Sequence, residues 1–214
     1  MLIVISGPSG VGKKTVVTEI LKQLLPDVWR CPVSWTTRSP KPTEVNGGDY
    51  HFTDEATFRE MIGQDKFVEW VRTYDCYYGT HVDELARAHE ESLILEIDIR
   101  GARRIKELYP DAHTIFLLPP SPEELRNRLL GRGRGESAEE VAVRLAHAEV
   151  ELCEAGKCDC WFPNDDLNMT LARVKGAISL RRDNVRMIPK EIYRNPELLA
   201  RTQAKFSSAS MTSS

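Results

Sequence analysis

The segment GPSGVGKKT, residues 7 to 15, has the glycine spacing of a phosphate-binding loop. Gly7, Gly12 and Lys13 occupy the positions that this motif requires, but Lys14 stands where a serine or threonine hydroxyl is usual. Backbone N–H groups of such a loop converge on phosphate oxygens, and the ammonium of Lys13 would add positive charge at the outer phosphates. The segment therefore predicts a nucleotide site whose contacts are Gly7, Pro8, Ser9, Gly10, Val11, Gly12, Lys13, Lys14 and Thr15.

The lysine at position 14 raises a question about metal binding. The usual hydroxyl is a ligand of Mg²⁺, whereas an ammonium group has no lone pair to donate. Thr15 carries a hydroxyl one residue later, about 100° further round the helix. Either Lys14 points outward and the metal is held by phosphates and water, or Lys14 replaces part of the metal's charge and slows the reaction. The sequence alone favours neither interpretation.

Alternating strands and helices must position this loop. LIVIS, at residues 2 to 6, predicts a buried parallel strand, and helical spacing of apolar residues follows from 14 to 25. SLILEIDI (92 to 99), HTIFLL (113 to 118) and CWFPND (160 to 165) predict further strands, the last of them central in the sheet. The pattern predicts an α/β fold, a P-loop NTPase core with a parallel β-sheet flanked by helices and ligands beyond the strands' carboxyl ends.

Two segments interrupt this alternation. Residues 33 to 83 are rich in Thr, Pro, Gly and Tyr and predict an inserted, mixed α/β substrate-binding subdomain. Residues 131 to 137 include alternating glycines and arginines between two capped helices, which predicts a short lid. A single domain would then span 1 to 182, with its core at 1 to 32, 84 to 130 and 138 to 182. The extension from 183 to 214 ends in a polar, low-complexity stretch, so we expect its distal part to be flexible.

Composition narrows the classes of partner. The formal net charge is only -3, so no overall basic field indicates a nucleic-acid polymer as ligand. No apolar run approaches the length of a membrane span, so we expect no membrane partner. The five cysteines are scattered and odd in number, which favours reduced thiols and a cytoplasmic location.

Several blocks between residue 1 and about residue 180 resemble guanylate kinase. They are SWTTRSPKPTEVNGGDYHF (34 to 52), FVEW (67 to 70), YYGT (77 to 80), EIDIRG (96 to 101) and NDDL (164 to 167). The resemblance implies ATP-dependent phosphorylation of GMP to GDP by direct in-line transfer, with Mg²⁺ as cofactor. The insertion would then be the GMP-binding subdomain, and the partners would be the small molecules ATP and GMP.

The resemblance also implies which residues bind GMP. Glu69 interrupts an apolar run, and its carboxylate could accept hydrogen bonds from the N1–H and amino group of guanine. An edge-strand glutamate that faces water is the other interpretation. Lys41 replaces the family's usual arginine and offers one contact instead of a planar fork. The implied guanine contacts are Ser34, Glu69, Thr80 and Asp98, the implied phosphate contacts are Arg38, Lys41, Tyr50 and Tyr78, and Gly79 lies between them.

The family's lid arginines match Arg132, Arg134 and Arg144, which with Lys13 would stabilise the transferring phosphoryl group. These arginines could instead be simply solvated. Asn164 matches a residue near the adenine ring, although Asn-Asp-Asp also favours a helix start. The implied metal contacts, through water, are Thr15, Glu96 and Asp98. Glu96 and Arg100 depart from the family's usual aspartate and glutamine.

Two other functions stay open at this point. One is a kinase of the same fold that acts on another phosphorylated acceptor, against which the retention of Ser34, Glu69 and Thr80 counts. The other is a non-catalytic guanylate-kinase-like module that binds proteins. The intact Gly7, Gly12 and Lys13 count against that second function.

Overall fold

The core of the molecule is a parallel five-stranded β-sheet. The structure is a computed structural model that describes residues 1–24, 29–86, 91–131, 137–183 and 193–211. The strand order is β2-β7-β1-β8-β9, and every pairing in this sheet is parallel. Its strands are β1 (Leu2–Ser6), β2 (Trp29–Arg30), β7 (Ser92–Glu96), β8 (His113–Leu118) and β9 (Cys160–Pro163). The predicted α/β fold is confirmed, but β9 lies at the sheet edge, so its prediction as a central strand is wrong.

Helices cover both faces of this sheet. Successive side chains of β1 point to opposite faces: Ile3 and Ile5 join one apolar cluster, while Leu2 and Val4 join another. The first cluster includes buried residues of α1 and α7, and the second includes buried residues of α4. The helices are α1 (Lys13–Gln23), α3 (Val82–Ala86), α4 (Ile99–Leu108), α5 (Pro122–Leu130), α6 (Ala138–Glu154) and α7 (Leu167–Arg182).

Polar side chains fix where several of these helices begin. Ser137 and Glu140 form the reciprocal capping box that their spacing predicts at the start of α6. Ser121 accepts a hydrogen bond from the Glu124 N–H, with proline in the first turn of α5. Asp98 caps α4 and thereby lies beyond the carboxyl end of β7, the edge at which ligands of α/β sheets bind.

The insertion forms a second sheet with strand order β4-β3-β6-β5. Its two long strands, Phe67–Thr73 and Cys76–His81, form an antiparallel hairpin, while the short strands Trp35–Thr36 and His51–Phe52 pair in parallel. Phe58 of α2 is fully buried and its ring stacks on Phe67 with centroids 4.3 Å apart, which gives this subdomain its own small core. The elements are β3 (Trp35–Thr36), β4 (His51–Phe52), α2 (Glu55–Gly63), β5 (Phe67–Thr73) and β6 (Cys76–His81).

The C-terminal extension is helical over most of its described length. Residues Pro196–Met211 form helix α8, in which Leu199 and Phe206 are buried against a cluster that includes Leu152 and Trp161. The bridge between Trp161 and Arg194 covers the outer side of β9. Two apolar residues seven positions apart give this polar helix one buried face. The flexibility expected of the distal part of the extension stays a prediction.

Candidate nucleotide site

The phosphate-binding loop follows β1 directly and ends where α1 begins. Gly12 caps the helix with φ 106°, a left-handed conformation that favours glycine. A Cβ at this position would also stand 2.7 Å from Nδ2 of Asn164. The first N–H groups of α1 are free of intrahelical partners, so they and the helix dipole favour an anion at this point.

Two side chains from other elements stabilise the loop through hydrogen bonds to backbone carbonyls. Nδ2 of Asn164 donates to the Val11 carbonyl at 2.7 Å. Arg128 of α5 donates through Nη1 to the carbonyls of Val11 at 3.1 Å and of Asn164 at 3.0 Å. Asn164 is therefore a buried residue that stabilises the conformation of the loop. Its contact with adenine stays a prediction.

Cationic side chains lie at the mouth of the loop. The Lys13 ammonium donates to the carbonyls of Gly7 and, at 3.2 Å, of Pro8. Nη1 of Arg144, on α6, donates to Ser9 Oγ at 2.8 Å. The structure thus brings Arg144 to the loop, as an arginine acting on the phosphates of a donor nucleotide requires.

Lys14 points away from the phosphate-facing side of the loop. Its ammonium forms an ion pair with Oδ1 of Asp49, a residue of the insertion, and this contact lowers the pKa of the Asp49 carboxyl. Thr15 is exposed in the first turn of α1. The first interpretation, in which Lys14 is turned outward, matches this geometry.

Glu69 is buried between the insertion and helix α4 of the core. It is 4% exposed, and Oε1 accepts a hydrogen bond from Thr80 Oγ1 at 2.6 Å. A Cβ at position 101 would stand 2.6 Å from its Oε2, so a larger residue than Gly101 would displace the Glu69 carboxylate. Burial raises the pKa of Glu69 to about 7, and the nearby charge of Asp98 adds to this shift. The interpretation as a solvent-facing glutamate is wrong.

Asp98 is the N-cap of α4 and accepts hydrogen bonds from the N–H groups of Arg100 and Gly101, both at 2.9 Å. Its Oδ2 also pairs with Nη2 of Arg100 at 2.7 Å. Glu96 ends β7 two residues earlier. Among the described residues, no group of three or more His, Cys, Asp or Glu side chains could hold a metal ion.

Two of the implied phosphate contacts of the acceptor, Arg38 and Lys41, bind Glu44. Nη2 of Arg38 donates to both carboxylate oxygens of Glu44 at 2.9 Å, and the backbone N–H of Lys41 donates at 2.9 Å. Partial burial opposes ionisation, but these hydrogen bonds hold the pKa of Glu44 below its ordinary value. The guanidinium carbon of Arg38 lies 5.5 Å from the Tyr50 ring centroid, and Tyr50 and Tyr78 meet edge to face at 6.1 Å. Glu44 therefore fixes the orientation of the Arg38 guanidinium.

The remaining implied contacts lie on the same hairpin sheet. The carbonyl of Ser34 accepts a hydrogen bond from the His51 N–H at 2.9 Å. Gly79 pairs with Trp35 across β3 and β6, and a Cβ there would stand 2.9 Å from the Phe67 ring. Arg132 and Arg134 of the predicted lid lie outside the described residues.

Comparison with known proteins agrees with this geometry. The family model described as guanylate kinase matches residues 1–181. A guanylate kinase of Thermosynechococcus vestitus is 45% identical over 179 residues, which cover 83% of this chain and 92% of the relative. A guanylate kinase of Caldanaerobacter subterraneus is 42% identical over 180 residues, with 83% and 86% covered.

The chain belongs to the guanylate kinase family. A crystal structure of guanylate kinase from Anaplasma phagocytophilum shares the fold, with a TM-score of 0.70 at 24% identity over 96% of this chain and 95% of that one. The predicted P-loop core and the recognition of the family are thereby confirmed.

Sequence reasoning missed several residues of this guanylate kinase site. Glu44, Asp49 and Arg128 act through contacts with residues that the motifs did identify. Glu151 of α6 places a buried Oε2 without a hydrogen-bond partner among the described residues, near the charges of Lys13 and Asp98. Burial raises the pKa of Glu151 to about 7. The sequence signal that could have identified Glu151 was its charge on the inner face of the helix that also carries Arg144.

Proposed function

We propose that this chain transfers the γ-phosphoryl group of ATP to GMP and forms ADP and GDP. One observation carries the proposal: the buried carboxylate of Glu69 packs against the helix that follows β7, and the phosphate-binding loop follows β1, the parallel strand next to β7. The loop follows β1, and Glu69 packs against Gly101 in the first turn of α4, which follows β7. Two anionic ligands could therefore lie end to end in one cleft.

Glu69 would identify the acceptor base. Its carboxylate can accept two hydrogen bonds from the N1–H and amino group of guanine, an edge that adenine does not have. Because these donors bind the ionised carboxylate, guanine binding would lower the raised pKa of Glu69. Thr80 already orients Oε1 with its hydroxyl.

Arg38, with Lys41, Tyr50 and Tyr78, would hold the acceptor phosphate. Glu44 fixes the guanidinium of Arg38 before a ligand arrives, so little side-chain entropy would be lost on binding. An oxygen of this phosphate would then attack the γ-phosphorus of ATP while the bond to the β–γ bridging oxygen breaks.

The donor side would use the loop N–H groups, Lys13 and Arg144, together with Arg132 and Arg134 of the lid. Their positive charges would stabilise the equatorial oxygens of the transferring group. In-line transfer requires no protein nucleophile, so alignment and exclusion of water supply the catalysis.

The residues present fit a magnesium ion carried by the nucleotide. Mg²⁺ is usually held by phosphates, water and one or two carboxylates, and Asp98, Glu96 and Thr15 are the groups that would contact it through water. When bound, the ion would neutralise charge on the β- and γ-phosphates. Asp98 caps α4 beyond the carboxyl end of β7, so its carboxylate lies at the edge of the sheet where the nucleotide phosphates would bind.

A cytoplasmic location is part of the proposal. Its support is that all five cysteines are free thiols, as in a reducing compartment. Within the described part of the chain, no helix is long and apolar enough to cross a membrane.

The test is a coupled assay of ADP formation with GMP, AMP, CMP and UMP as acceptors. Turnover with GMP, and little with the other nucleotides, is the expected result. Turnover with another acceptor would instead identify a kinase of the same fold. No turnover with any acceptor, in a protein that is folded by circular dichroism, would contradict the proposal and favour a binding module.

A further inference from the structure

Tyr74 lies at the turn of the β5–β6 hairpin but packs outside its own subdomain. Tyr74 and Asp75 both have left-handed backbone conformations, with φ of 51° and 59°. The Tyr74 ring faces α6: the guanidinium carbon of Arg144 lies 4.6 Å from its centroid, and the His147 ring lies 5.0 Å away. Arg144 and His147 are three residues apart, so the ring covers one face of α6.

Arg144 connects this turn to the phosphate loop. The same guanidinium that lies over Tyr74 donates to Ser9 Oγ at 2.8 Å. A second arginine also connects the core to the hairpin. Arg100 of α4 donates to the Arg72 carbonyl at 3.2 Å and to the Thr73 hydroxyl. The hairpin turn of the acceptor subdomain therefore contacts the core where the donor phosphates would lie.

We propose that Tyr74 is a positioning residue for phosphoryl transfer, because its ring holds the Arg144 guanidinium against the phosphate loop when the insertion is docked on the core. The inference rests on the proposed function and deepens it. Tyr74 belongs to the insertion that would bind the acceptor, and Arg144 belongs to the core that would bind the donor. Their contact therefore links the docking of the insertion on the core to the position of the Arg144 guanidinium.

The physical reason is the freedom of an arginine side chain. An arginine on a helix surface has many rotamers, and a guanidinium displaced by about 1 Å can lower a rate by up to about a hundredfold. An aromatic face attracts the cation and restricts it to the plane above the ring. Burial raises the pKa of Tyr74 to about 12, so the ring is a neutral phenol throughout the working range of pH.

The first test replaces the ring while it keeps the turn. Tyr74→Leu keeps apolar bulk, Tyr74→Phe keeps the aromatic face, and Asp75→Asn is the matched control in the same turn. We expect kcat to fall about tenfold in Tyr74→Leu, as befits a lost cation–ring contact. The KM for GMP should stay within about twofold, and Tyr74→Phe and Asp75→Asn should keep kcat within about twofold of wild type. A purely structural role for the turn would instead lower the melting temperature and affect Asp75→Asn as well.

The second test asks whether Tyr74 acts through Arg144. In an Arg144→Met background, Tyr74→Leu should change kcat by less than about twofold, because the cation that the ring positions is gone. A loss as large as in wild type, or a Tyr74→Phe variant as slow as Tyr74→Leu, would overturn the inference. Wild-type protein without GMP turnover would overturn the proposed function as well. An active wild type with an equally active Tyr74→Leu variant would overturn only the role of Tyr74.

Discussion

The ammonium of Lys14 and the carboxylate of Asp49 form an ion pair between the first turn of α1 and the inserted subdomain. Their side chains are 60% and 26% exposed, so the pair contributes only about 0 to 1 kcal/mol to stability. The ion pair matters for the position of the Lys14 ammonium more than for stability. It turns the ammonium away from the loop and connects the two halves of the cleft at a position where the motif usually has a metal-binding hydroxyl.

Lys14→Ser should therefore change metal use more than stability. We expect the Mg²⁺ concentration for half-maximal rate to fall about threefold or more, because a hydroxyl can bind the ion and an ammonium cannot. The melting temperature should move by only a few degrees, as expected for an exposed ion pair. Magnesium titrations of the rate measure the first effect.

The control for this prediction is Lys14→Ala, which also removes the ion pair with Asp49 but adds no hydroxyl. If the serine and alanine variants respond to Mg²⁺ in the same way, the hydroxyl has no role at this position.

Glu69→Gln should abolish most of the preference for guanine. We expect kcat/KM for GMP to fall about a hundredfold, because hydrogen bonds to an ionised group contribute about 1.5 to 3 kcal/mol each and the amide presents a donor to guanine's donors. Glu60→Gln, on the exposed face of α2, is the matched control and should behave as wild type. Steady-state rates with GMP and AMP measure this preference. An unchanged rate with GMP would mean that Glu69 does not bind the guanine base.

Glu151→Gln should stabilise the protein at alkaline pH. The pKa of Glu151 is raised by burial to about 7 in the folded state, from 4.5 as its ordinary value. The folded state therefore holds the proton more tightly, and the stabilisation present below pH 4.5 is lost as the pH rises to about 7.

The glutamine variant lacks this ionisation, so its advantage over wild type in free energy of unfolding should grow between pH 5 and pH 8, by about 1 to 3 kcal/mol. Urea denaturation of both proteins at these two pH values measures it. Glu69 titrates in the same range in both proteins, so its contribution cancels from the difference. A pH-independent difference would mean that Glu151 is ionised throughout.

Asn164→Ala should raise the KM for ATP by about fivefold, because the buried Val11 carbonyl loses one of its two side-chain donors. The KM for GMP should stay constant, since the hydrogen bonds of the Val11 carbonyl given for the described residues come from Asn164 and Arg128 and not from the implied GMP contacts. Asn168→Ala, four residues later and exposed on α7, is the control. An equal rise in both KM values would indicate general unfolding instead of a loosened loop.

Phe206→Ala tests whether α8 belongs to the folded unit. Phe206 is only 3% exposed, so we expect a loss of about 3 kcal/mol in free energy of unfolding. Met169→Ala removes a large apolar side chain that is 53% exposed and should have an effect below about 0.5 kcal/mol. Denaturant titrations compare the free energies of unfolding of the two variants. An equal effect of both substitutions would mean that α8 is not packed as part of the folded unit.

The amino-acid sequence alone determined the features that depend on neighbours along the chain. The apolar strand before Gly7, the helical spacing after Lys13 and the capping box at Ser137 are local signals, and the structure has each of these elements where the pattern predicts it. For Glu69 the apolar run left two interpretations open, and the resemblance to guanylate kinase implied its role; the structure shows that Glu69 is buried and that Thr80 donates a hydrogen bond to it.

Tertiary structure decided what depends on residues far apart in the sequence. Lys14 pairs with Asp49 across 35 positions, Asn164 reaches Val11 across 153, and the helix that carries Phe206 packs against core residues far from it in the sequence. A side chain's type and spacing determine which contacts it is able to make. The path of the backbone determines which group lies within hydrogen-bonding distance, because such contacts require atoms to approach to about 3 Å.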